Sequence, residues 1–287
     1  MTTCIILNYN DSSTTIKLAN SIRSYHSIDK ILIVDGCSTD NSVEELKQIE
    51  YDNVIVLQAD RNGGYGYGNN MGLEYSKKTG AKYAIIANPD VMFTEEAIIN
   101  TITMMKKHED CMIAAPAMHG KEPAYRFSST PAKDVLQASI LMNKIFRPRY
   151  YPKGYFEDKT ECRVDVIPGS LLIIDIDKLP DEKLYDENIF LYHEEVVIGK
   201  KLSEMGFSTW INLEDEYYHY HSVSVRKNIR SAITLKKMVI KSHRYYLCKY
   251  LNSHVAANML AVLTPLLCME SYCWNIIKTR GKDVRKI

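Results

Sequence analysis

The sequence lacks the features that mark several protein classes. Its 287 residues include seven cysteines, but they form no CxxC pair and no other metal-like spacing. An odd number of unpaired cysteines predicts reduced thiols rather than a disulfide framework. The N-terminus "MTTCIILNYN" also lacks the basic start and long apolar core of a signal peptide, and it is typical of a first strand. We therefore expect a cytoplasmic protein.

Acidic residues are missing from one long stretch of the chain. No Asp or Glu occurs between Glu216 and Glu270, and residues 217–287 carry thirteen Lys and Arg against two acids. The net charge of +1 therefore combines a basic C-terminal part with an acidic remainder. A basic tail can bind nucleic acid, but the front of the chain is acidic and contains no recognised nucleic-acid module. We expect no nucleic-acid partner.

The first half of the chain alternates short apolar runs with helical stretches. Apolar runs without polar alternation are typical of strands that are covered on both faces. Four such runs occupy residues 4–8, 30–35, 53–59 and 82–88. Helix-start signals lie between or after them: Ser42 with Glu45 matches a capping box, and Thr94 precedes two glutamates. This pattern predicts an α/β doubly wound sheet, which binds ligands at the carboxyl ends of its strands.

The second half of the chain is less regular. Residues 162–179 predict two strands broken by Pro168-Gly169-Ser170, and residues 207–213 predict another strand. Residues 190–206 predict a helix that ends at a glycine, a common stop residue. No repeat and no low-complexity linker separates the halves, so we expect both halves to form one lobe around a shared cleft.

Polar residues gather where the predicted strands end. Residues 8–10 follow the first strand, Asp35 ends the second and Asp90 follows the fourth, so one edge of the sheet would carry all of them. Asp35 can accept from a base N–H or belong to an Asx-type turn, as Thr39 and Asp40 are expected to do. Asp90 can ligate Mg²⁺ or Mn²⁺ together with phosphate oxygens, or it can serve as a turn or helix cap.

Three further motifs each allow a functional and a structural interpretation. The loop "RNGGYGYGNNMG" (61–72) either brings N–H groups to a diphosphate or leads flexibly into a helix. Glu194 and Glu195, which we place in the middle of a helix, supply one carboxylate as a general base or form a solvated face. His219 and His221 would share one face of a strand, as metal ligands or as structural histidines.

Read together, these motifs resemble the family 2 glycosyltransferases, and most closely the rhamnosyltransferase-like enzymes of bacterial surface polysaccharides. The resemblance keeps the family's motif order over roughly residues 3–225. The matching segments are "ILNYN", "ILIVDGCSTDNS", "NGGYGYGNNMG", "IIANPDVMF", "PGSLLIID", "FLYHEEVVIGKKLSEMGF" and "HYHSVS". The resemblance implies a GT-A fold, that is, a Rossmann-like nucleotide-sugar-binding sheet with helices on both faces. It also implies inverting transfer from a dTDP- or UDP-linked sugar to a glycan or a lipid-linked glycan.

The resemblance further implies roles for the matching residues. Donor contacts would come from Asn8, Tyr9, Asn10, Asp35, Asn62, Gly64 and Asn88, and the acceptor site would be bordered by Gly169 and Ser170. Asp90 stands at the family's DxD-type motif and His219 begins its H-x-x-(G/S)-x-S element, so both would contact Mg²⁺ or Mn²⁺ or the diphosphate. Glu195, beside Glu194, would be the general base. The segment "HEEVV" departs from the family's E-D-x-D block at two positions. Glu195 stands where Asp is usual, and Val197 stands at the last acidic position of that block.

Two other functions remain open. A sugar-phosphate nucleotidyltransferase also combines an α/β fold with a metal, but this chain lacks the glycine- and arginine-rich N-terminal loop of those enzymes. An inactive nucleotide-sugar-binding subunit of a membrane assembly would suit the departures at Glu195 and Val197. A panel of donor sugars distinguishes an enzyme from such a subunit.

The C-terminal part predicts a separate extension. We expect a catalytic domain over residues 1–225 and a basic, partly apolar helical extension over residues 226–287. Residues 235–251 show a helical apolar stripe, and residues 258–277 approach the composition of a spanning segment but include Glu270. We expect both helices to lie on the inner face of a membrane, with basic residues on anionic headgroups. The alternative is a helical pair that covers the domain, and the oligomeric state is open.

Overall fold

The computed structural model of the protein describes residues 1–51, 53–220 and 231–283. Its strands are Thr2–Asn8 (β1), Lys30–Asp35 (β2), Val54–Gln58 (β3), Tyr83–Ala87 (β4), Val91–Met92 (β5), Cys111–Met118 (β6), Glu161–Val164 (β7), Leu171–Asp175 (β8) and Ser208–His219 (β9). Its helices are Ser12–Ile22 (α1), Ser42–Lys47 (α2), Tyr65–Lys78 (α3), Glu95–Lys107 (α4), Pro131–Leu136 (α5), Ile140–Phe146 (α6), Glu194–Glu204 (α7), Ala232–Lys249 (α8) and His254–Asp283 (α9).

Both halves of the chain contribute to one nine-stranded sheet, in the order β3-β2-β1-β4-β8-β6-β9-β5, with β7 paired to β9. Strands β3, β2, β1 and β4 run parallel, as the unbroken apolar runs predict. Strand β8 lies antiparallel between β4 and β6, and β6 is parallel to β9. The sheet is therefore mixed, and β8 joins the two halves into one unit.

Helices cover both faces of this sheet. Alternate residues of a strand point to opposite faces, and β1 buries both sets. Ile6 packs with Leu18 of α1 and Ile98 of α4, whereas Ile5 packs with Leu73 of α3 on the other face. This two-sided burial explains why the strands read as continuous apolar runs, and it confirms the predicted helix–sheet–helix layering.

Several glycines of the loop 61–72 serve packing rather than loop flexibility. Helix α3 begins at Tyr65, so most of the stretch 61–72 that the sequence suggests as a loop is helical. A β-carbon on Gly68 would lie 2.3 Å from Leu7, and one on Gly72 would lie 2.5 Å from Ile5. These glycines therefore allow α3 to approach β1 closely.

Two local predictions were wrong for identifiable reasons. Helix α7 begins at Glu194, not near residue 190, because Tyr192 and His193 have left-handed φ angles of 68° and 75°. Glu194 and Glu195 therefore lie in the first turn and not in the middle of the helix. The capping box at the start of α2 does not form either, because Glu45 instead accepts a hydrogen bond from Ser12.

The C-terminal helices pack on the domain and on each other. Ile240 and Leu247 of α8 join Leu260 of α9 and Val135 of α5 in one buried cluster. Tyr246 of α8 packs in a second cluster with α7. Among the described residues, one helix is long and apolar enough to cross a membrane by length and composition, namely α9 from His254 to Ile277.

Candidate active site

The first two strands end in a pair of buried polar side chains. Asn8 of β1 and Asp35 of β2 are partners in the parallel register, so their side chains meet at the edge of the sheet. Asn8 Nδ2 donates to Asp35 Oδ2 over 2.8 Å, and Thr15 Oγ1 donates to Asn8 Oδ1. Both Asn8 and Asp35 are fully buried. The expected gathering of polar residues at this edge is therefore present.

Asp35 also organises the turn that follows β2. The main-chain N–H of Ser38 donates to Asp35 Oδ1 over 2.8 Å, and the Ser38 hydroxyl donates to Asp35 Oδ2 over 2.6 Å. Asn10 joins this turn, because its N–H donates to Ser38 Oγ and its Oδ1 accepts from Thr39 N. The Asx-type turn is thus formed, and direct donor contact by Asn8 or Asp35 stays a prediction. Asn10 is only half-buried.

Asp90 and His219 form the second group of predicted site residues. Strand β9 runs six residues further than the sequence predicts and pairs antiparallel with β5, so that His219 lies opposite Val91. His219 Nε2 lies 3.1 Å from Asp90 Oδ1, and both side chains are largely buried. His221 lies outside the described residues.

This pair fits a divalent cation that protein side chains ligate only in part. A carboxylate suits Mg²⁺ and Mn²⁺, and an imidazole nitrogen can complete a pair of protein ligands. Within the described part of the chain, no group of three or more His, Cys, Asp and Glu residues could hold a metal ion. The site therefore suits a cation that takes its remaining ligands from phosphate oxygens, and not one held by the protein alone.

A third group links the Asp90 motif to the candidate base. Strand β4 pairs with β8, and beyond this pairing Asn88 N donates to Ser170 O over 2.9 Å. The Tyr65 hydroxyl lies 3.0 Å from Asn88 Oδ1 and 2.8 Å from Gly169 O. Gly169 N in turn donates to Glu195 Oε1 over 3.3 Å. The residues predicted to contact the donor, to border the acceptor site and to act as the base are therefore neighbours.

The two adjacent glutamates have different environments. Glu194 is buried, and its Oε1 has no hydrogen-bond partner in the described part of the chain. Burial, followed by the nearby charge of Glu195, raises the pKa of Glu194 well above its usual range. Glu195 is only half-buried and contacts Gly169. Glu195 is therefore the carboxylate that faces the acceptor-side loop.

Tyrosines that the sequence did not single out surround Glu195. For each of them, burial chiefly raises the pKa, and the charge of Glu195 raises it further. They are Tyr65, Tyr125, Tyr185, Tyr192 and Tyr217. The Tyr217 and Ser170 hydroxyls lie 2.7 Å apart. The excess of twenty tyrosines over six phenylalanines was the available sequence signal. These phenols therefore stay protonated at neutral pH.

Gly64 brings the glycine loop against the segment that precedes α7. Its φ of 87° favours glycine, and a β-carbon there would lie 2.3 Å from Phe190 O. Tyr65 N donates to the same carbonyl over 3.0 Å, and Gly64 N donates to Asn62 Oδ1. Both observations give the loop a structural role. Contact of Asn62 or Gly64 with a donor stays a prediction.

The sheet with helices on both faces has the GT-A fold. Residues 3–178, more than half of the chain, match the model of glycosyl transferase family 2. The chain therefore belongs to glycosyl transferase family 2, which confirms the resemblance and the fold class inferred from the motifs.

One curated relative is the low-salt glycan biosynthesis hexosyltransferase Agl10 of Haloferax volcanii. It is 23% identical over 194 residues, which cover 67% of this chain and 58% of the relative. The chain thus spans about three fifths of the length of this curated relative.

Two solved structures share the fold. GalNAc-T7 with UDP, GalNAc and Mn²⁺ aligns with a TM-score of 0.59 at 13% identity, covering 87% of this chain and 50% of that chain. The mannosyltransferase PcManGT of Pyrobaculum calidifontis, in complex with GDP-Man and Mn²⁺, aligns with a TM-score of 0.56 at 12% identity. That alignment covers 95% of this chain and 73% of that chain.

Proposed function

We propose that this protein transfers a sugar from a nucleotide-diphosphate donor to a hydroxyl of a glycan acceptor during surface polysaccharide synthesis. The observation that carries the proposal is the hydrogen-bonded series from Asn88 through Ser170 and Gly169 to Glu195. It joins the motif that precedes Asp90 to the candidate base. The family match and the glycan-biosynthesis relative support the same reaction class.

The donor end of the site requires a cation. Asp90 and His219 would hold Mn²⁺ or Mg²⁺, which supplies positive charge against the phosphate oxygens of the leaving nucleotide. Two proteins with this fold were solved with Mn²⁺ and a nucleotide or nucleotide sugar. The donor would be dTDP- or UDP-linked, and Tyr9 and Asn10, both half-buried, are the candidate contacts for its nucleoside.

Glu195 acts as the general base. Its carboxylate takes the proton of an acceptor hydroxyl, whose oxygen then attacks the anomeric carbon from the face opposite the diphosphate. The bond between the sugar and the diphosphate breaks, the nucleoside diphosphate leaves, and the anomeric configuration inverts. The raised pKa of Glu194 favours its neutral form, which limits the negative charge beside Glu195.

The acceptor would be lipid-linked and reached at the inner face of a membrane. The side of α9 that points away from Leu260 is apolar and exposed, and we call it the outer face of α9. It consists of Val255, Met259, Val262, Leu263, Leu266 and Met269. A helix that is apolar on its exposed side as well as its buried side is typical of membrane contact. The apolar side of α8 packs inward, so only α9 of the pair offers a surface to lipid.

Helix α6 extends this apolar surface. Five of its seven residues are apolar and none is buried. Glu270 of α9 ties it down by accepting from the N–H groups of Ile140 and Leu141, and Lys144 lies 4.0 Å from the centre of the Trp274 ring. The Glu270 carboxylate therefore has hydrogen-bond donors within the protein and does not have to face lipid. The exposed Lys144 places positive charge at the same surface, as anionic headgroups require, whereas Arg147 is paired with Glu122.

A panel of nucleotide sugars with Mn²⁺ or Mg²⁺ tests the proposed reaction. The wild-type chain should hydrolyse at least one donor slowly in water and transfer that sugar faster to an acceptor, with inverted configuration by proton NMR. Donor binding without hydrolysis or transfer would favour the inactive nucleotide-sugar-binding subunit. Absence of both binding and turnover across the panel would contradict the proposal.

A further inference from the structure

Residues 185–193, which we call the bridging segment, connect α3 to the candidate base Glu195. At one end Tyr185 is fixed to α3, because Asn70 Oδ1 accepts from Tyr185 N and Asn70 Nδ2 donates to Tyr185 O, both over 3.0 Å. Further along, Phe190 O accepts from Tyr65 N at the start of α3. At the other end His193 immediately precedes α7, so the path of this segment determines where Glu195 lies.

The last residues of the bridging segment have an unfavourable backbone conformation. Tyr192 and His193 are consecutive residues with β-carbons, and both adopt left-handed φ angles. Residues other than glycine occupy this region at a cost, so contacts from outside must hold them in place. Several contacts with the residues around this turn come from α8, a helix of the C-terminal extension.

Helix α8, together with its C-cap residue Tyr250, holds the near end of the segment through Asp186. The Asp186 Oδ2 atom accepts from the Tyr245 hydroxyl over 3.0 Å, from Lys249 Nζ over 2.7 Å and from the Tyr250 hydroxyl over 2.6 Å. Burial alone would raise the pKa of Asp186, but hydrogen bonds from Lys249, Tyr250 and Asn188 outweigh it and lower the pKa below its usual range, so the carboxylate stays ionised. Three donors on one oxygen fix the chain at this point.

Helix α8 also holds the far end, beside the strained residues. The Ser242 hydroxyl donates to Leu191 O over 2.8 Å. The His243 ring faces the His193 ring with centroids 4.4 Å apart, and His243 is buried whereas His193 is half-buried. The anchors at Asp186, Leu191 and His193 therefore all come from one helix.

We propose that α8 is a positioning element of the active site, which holds the bridging segment so that α7 begins where Glu195 can reach the acceptor hydroxyl. Ser242, Tyr245 and Tyr250 are positioning residues, because they touch the segment and not the reacting groups. The proposal rests on Glu195 being the base. It makes the C-terminal extension part of the catalytic unit, in addition to any contact with a membrane.

The test removes hydroxyl groups from α8 and leaves the rest of each side chain in place. The triple variant Ser242→Ala, Tyr245→Phe, Tyr250→Phe keeps Lys249 on Asp186 and the bonds from α3, and it loses the other hydrogen bonds described here from α8 and Tyr250 to the segment. Tyr25→Phe is the matched control, since its hydroxyl donates to Phe93 O outside both α8 and the segment. Three readouts are made on the full chain: donor-hydrolysis kcat and KM, amide hydrogen exchange of residues 186–193, and the unfolding temperature.

In the triple variant we expect kcat to fall about ten- to a hundredfold, since small displacements of reacting groups cost rates of this size. Donor KM should change less than about threefold, because α3 still binds the segment at Tyr185. Exchange in residues 186–193 should become faster, while the Tyr25→Phe control keeps wild-type values. If the triple variant does not fold, Tyr250→Phe alone should show the same directions.

Two outcomes overturn the proposal. Unchanged exchange would mean that α8 does not hold the segment. Faster exchange with unchanged kcat would mean that the segment does not position Glu195. Failure of the proposed function is distinguishable, because the wild-type chain would then turn over no donor at all. The exchange measurement on residues 186–193 would still decide whether α8 anchors the segment.

Discussion

The main-chain N–H of Gly169 donates to Oε1 of Glu195, and no β-carbon fits between the two residues. A β-carbon on Gly169 would lie 2.8 Å from both Cγ and Oε1 of Glu195. The opposing atoms belong to the end of a flexible side chain, which can move aside at little cost in stability. The glycine therefore sets the place of the carboxylate and not the stability of the fold.

This contact gives the first prediction, for the variant Gly169→Ala. The added methyl group should displace the Glu195 carboxylate and lower transfer kcat by about tenfold or more, because the base must lie within hydrogen-bond reach of the acceptor. The unfolding temperature should change by no more than a few degrees, for a free-energy change of about 1 kcal/mol. Wild-type kcat in Gly169→Ala would show that the contact is irrelevant to the reaction.

The second prediction concerns the metal. Asp90→Ala removes the carboxylate of the Asp90–His219 pair and should reduce transfer at least about a hundredfold, since a bound cation contributes several kcal/mol to the transition state. Mn²⁺ binding in the presence of nucleoside diphosphate, measured by electron paramagnetic resonance, should weaken in parallel. The exposed Asp181 provides the control Asp181→Ala. Full wild-type activity in excess chelator would contradict the role of a metal.

The third prediction concerns pH and the start of α7. Burial, and then the neighbouring His243, lowers the pKa of His193 well below its usual range, so the folded state favours the neutral ring. This stability is present above the unfolded-state pKa of about 6.5 and is lost as the pH falls below it. His193→Asn removes the titration and keeps a residue that tolerates left-handed φ.

Urea unfolding between about pH 5 and pH 7.5 measures this effect around the ordinary histidine pKa. The free energy of unfolding should fall more steeply towards acid in the wild type than in His193→Asn. The control His254→Asn, at an exposed histidine, should keep the wild-type slope. Identical slopes for wild type and His193→Asn would contradict the prediction.

The fourth prediction concerns the outer face of α9. The wild-type chain should sediment with vesicles that contain anionic lipid and be released by high salt. Val262→Ser with Leu266→Ser should weaken this binding, because these side chains are 80% and 57% exposed. Tyr51→Ser, at an exposed residue elsewhere, is the control.

Three other results would change this interpretation. Equal binding to neutral and anionic vesicles would show that anionic headgroups do not contribute to the binding. Absence of vesicle binding would contradict lipid contact. If the wild-type chain forms a dimer and the double variant Val262→Ser, Leu266→Ser is a monomer, the outer face of α9 would instead bind a second copy of the chain. Point variants are preferable to deletion of the extension, because α8 is packed into the domain.

Local patterns were sufficient to predict seven of the nine described strands and the cap at the start of α4, but β5 and β6 were not predicted and the capping box of α2 does not form. Thr94 accepts from Ala97 N at the start of α4, as predicted, because a cap involves residues three apart. The resemblance likewise singled out Asp90 and His219, and the structure brings them together. Their adjacency required β9 to extend to His219, which the apolar run at 207–213 did not reveal.

Long-range contacts account for what the sequence did not predict. The left-handed Tyr192 and His193 have no local signal, and contacts with Leu191 and His193 come from α8, some fifty residues later. For the same reason α7 was predicted to start too early. Tyr65 and Tyr217 were overlooked because their partners, Gly169 and Ser170, lie far along the chain.

The central claim is that Glu195, and not Glu194, takes the proton of the acceptor. Single-turnover transfer by Glu195→Gln and Glu194→Gln, each at saturating donor and acceptor, tests it most directly. We predict that Glu195→Gln slows the chemical step by about two to four powers of ten with donor affinity nearly unchanged. Glu194→Gln, which replaces a buried side chain whose neutral form is already favoured, should stay within about tenfold of wild type. A larger loss in Glu194→Gln than in Glu195→Gln would contradict the account.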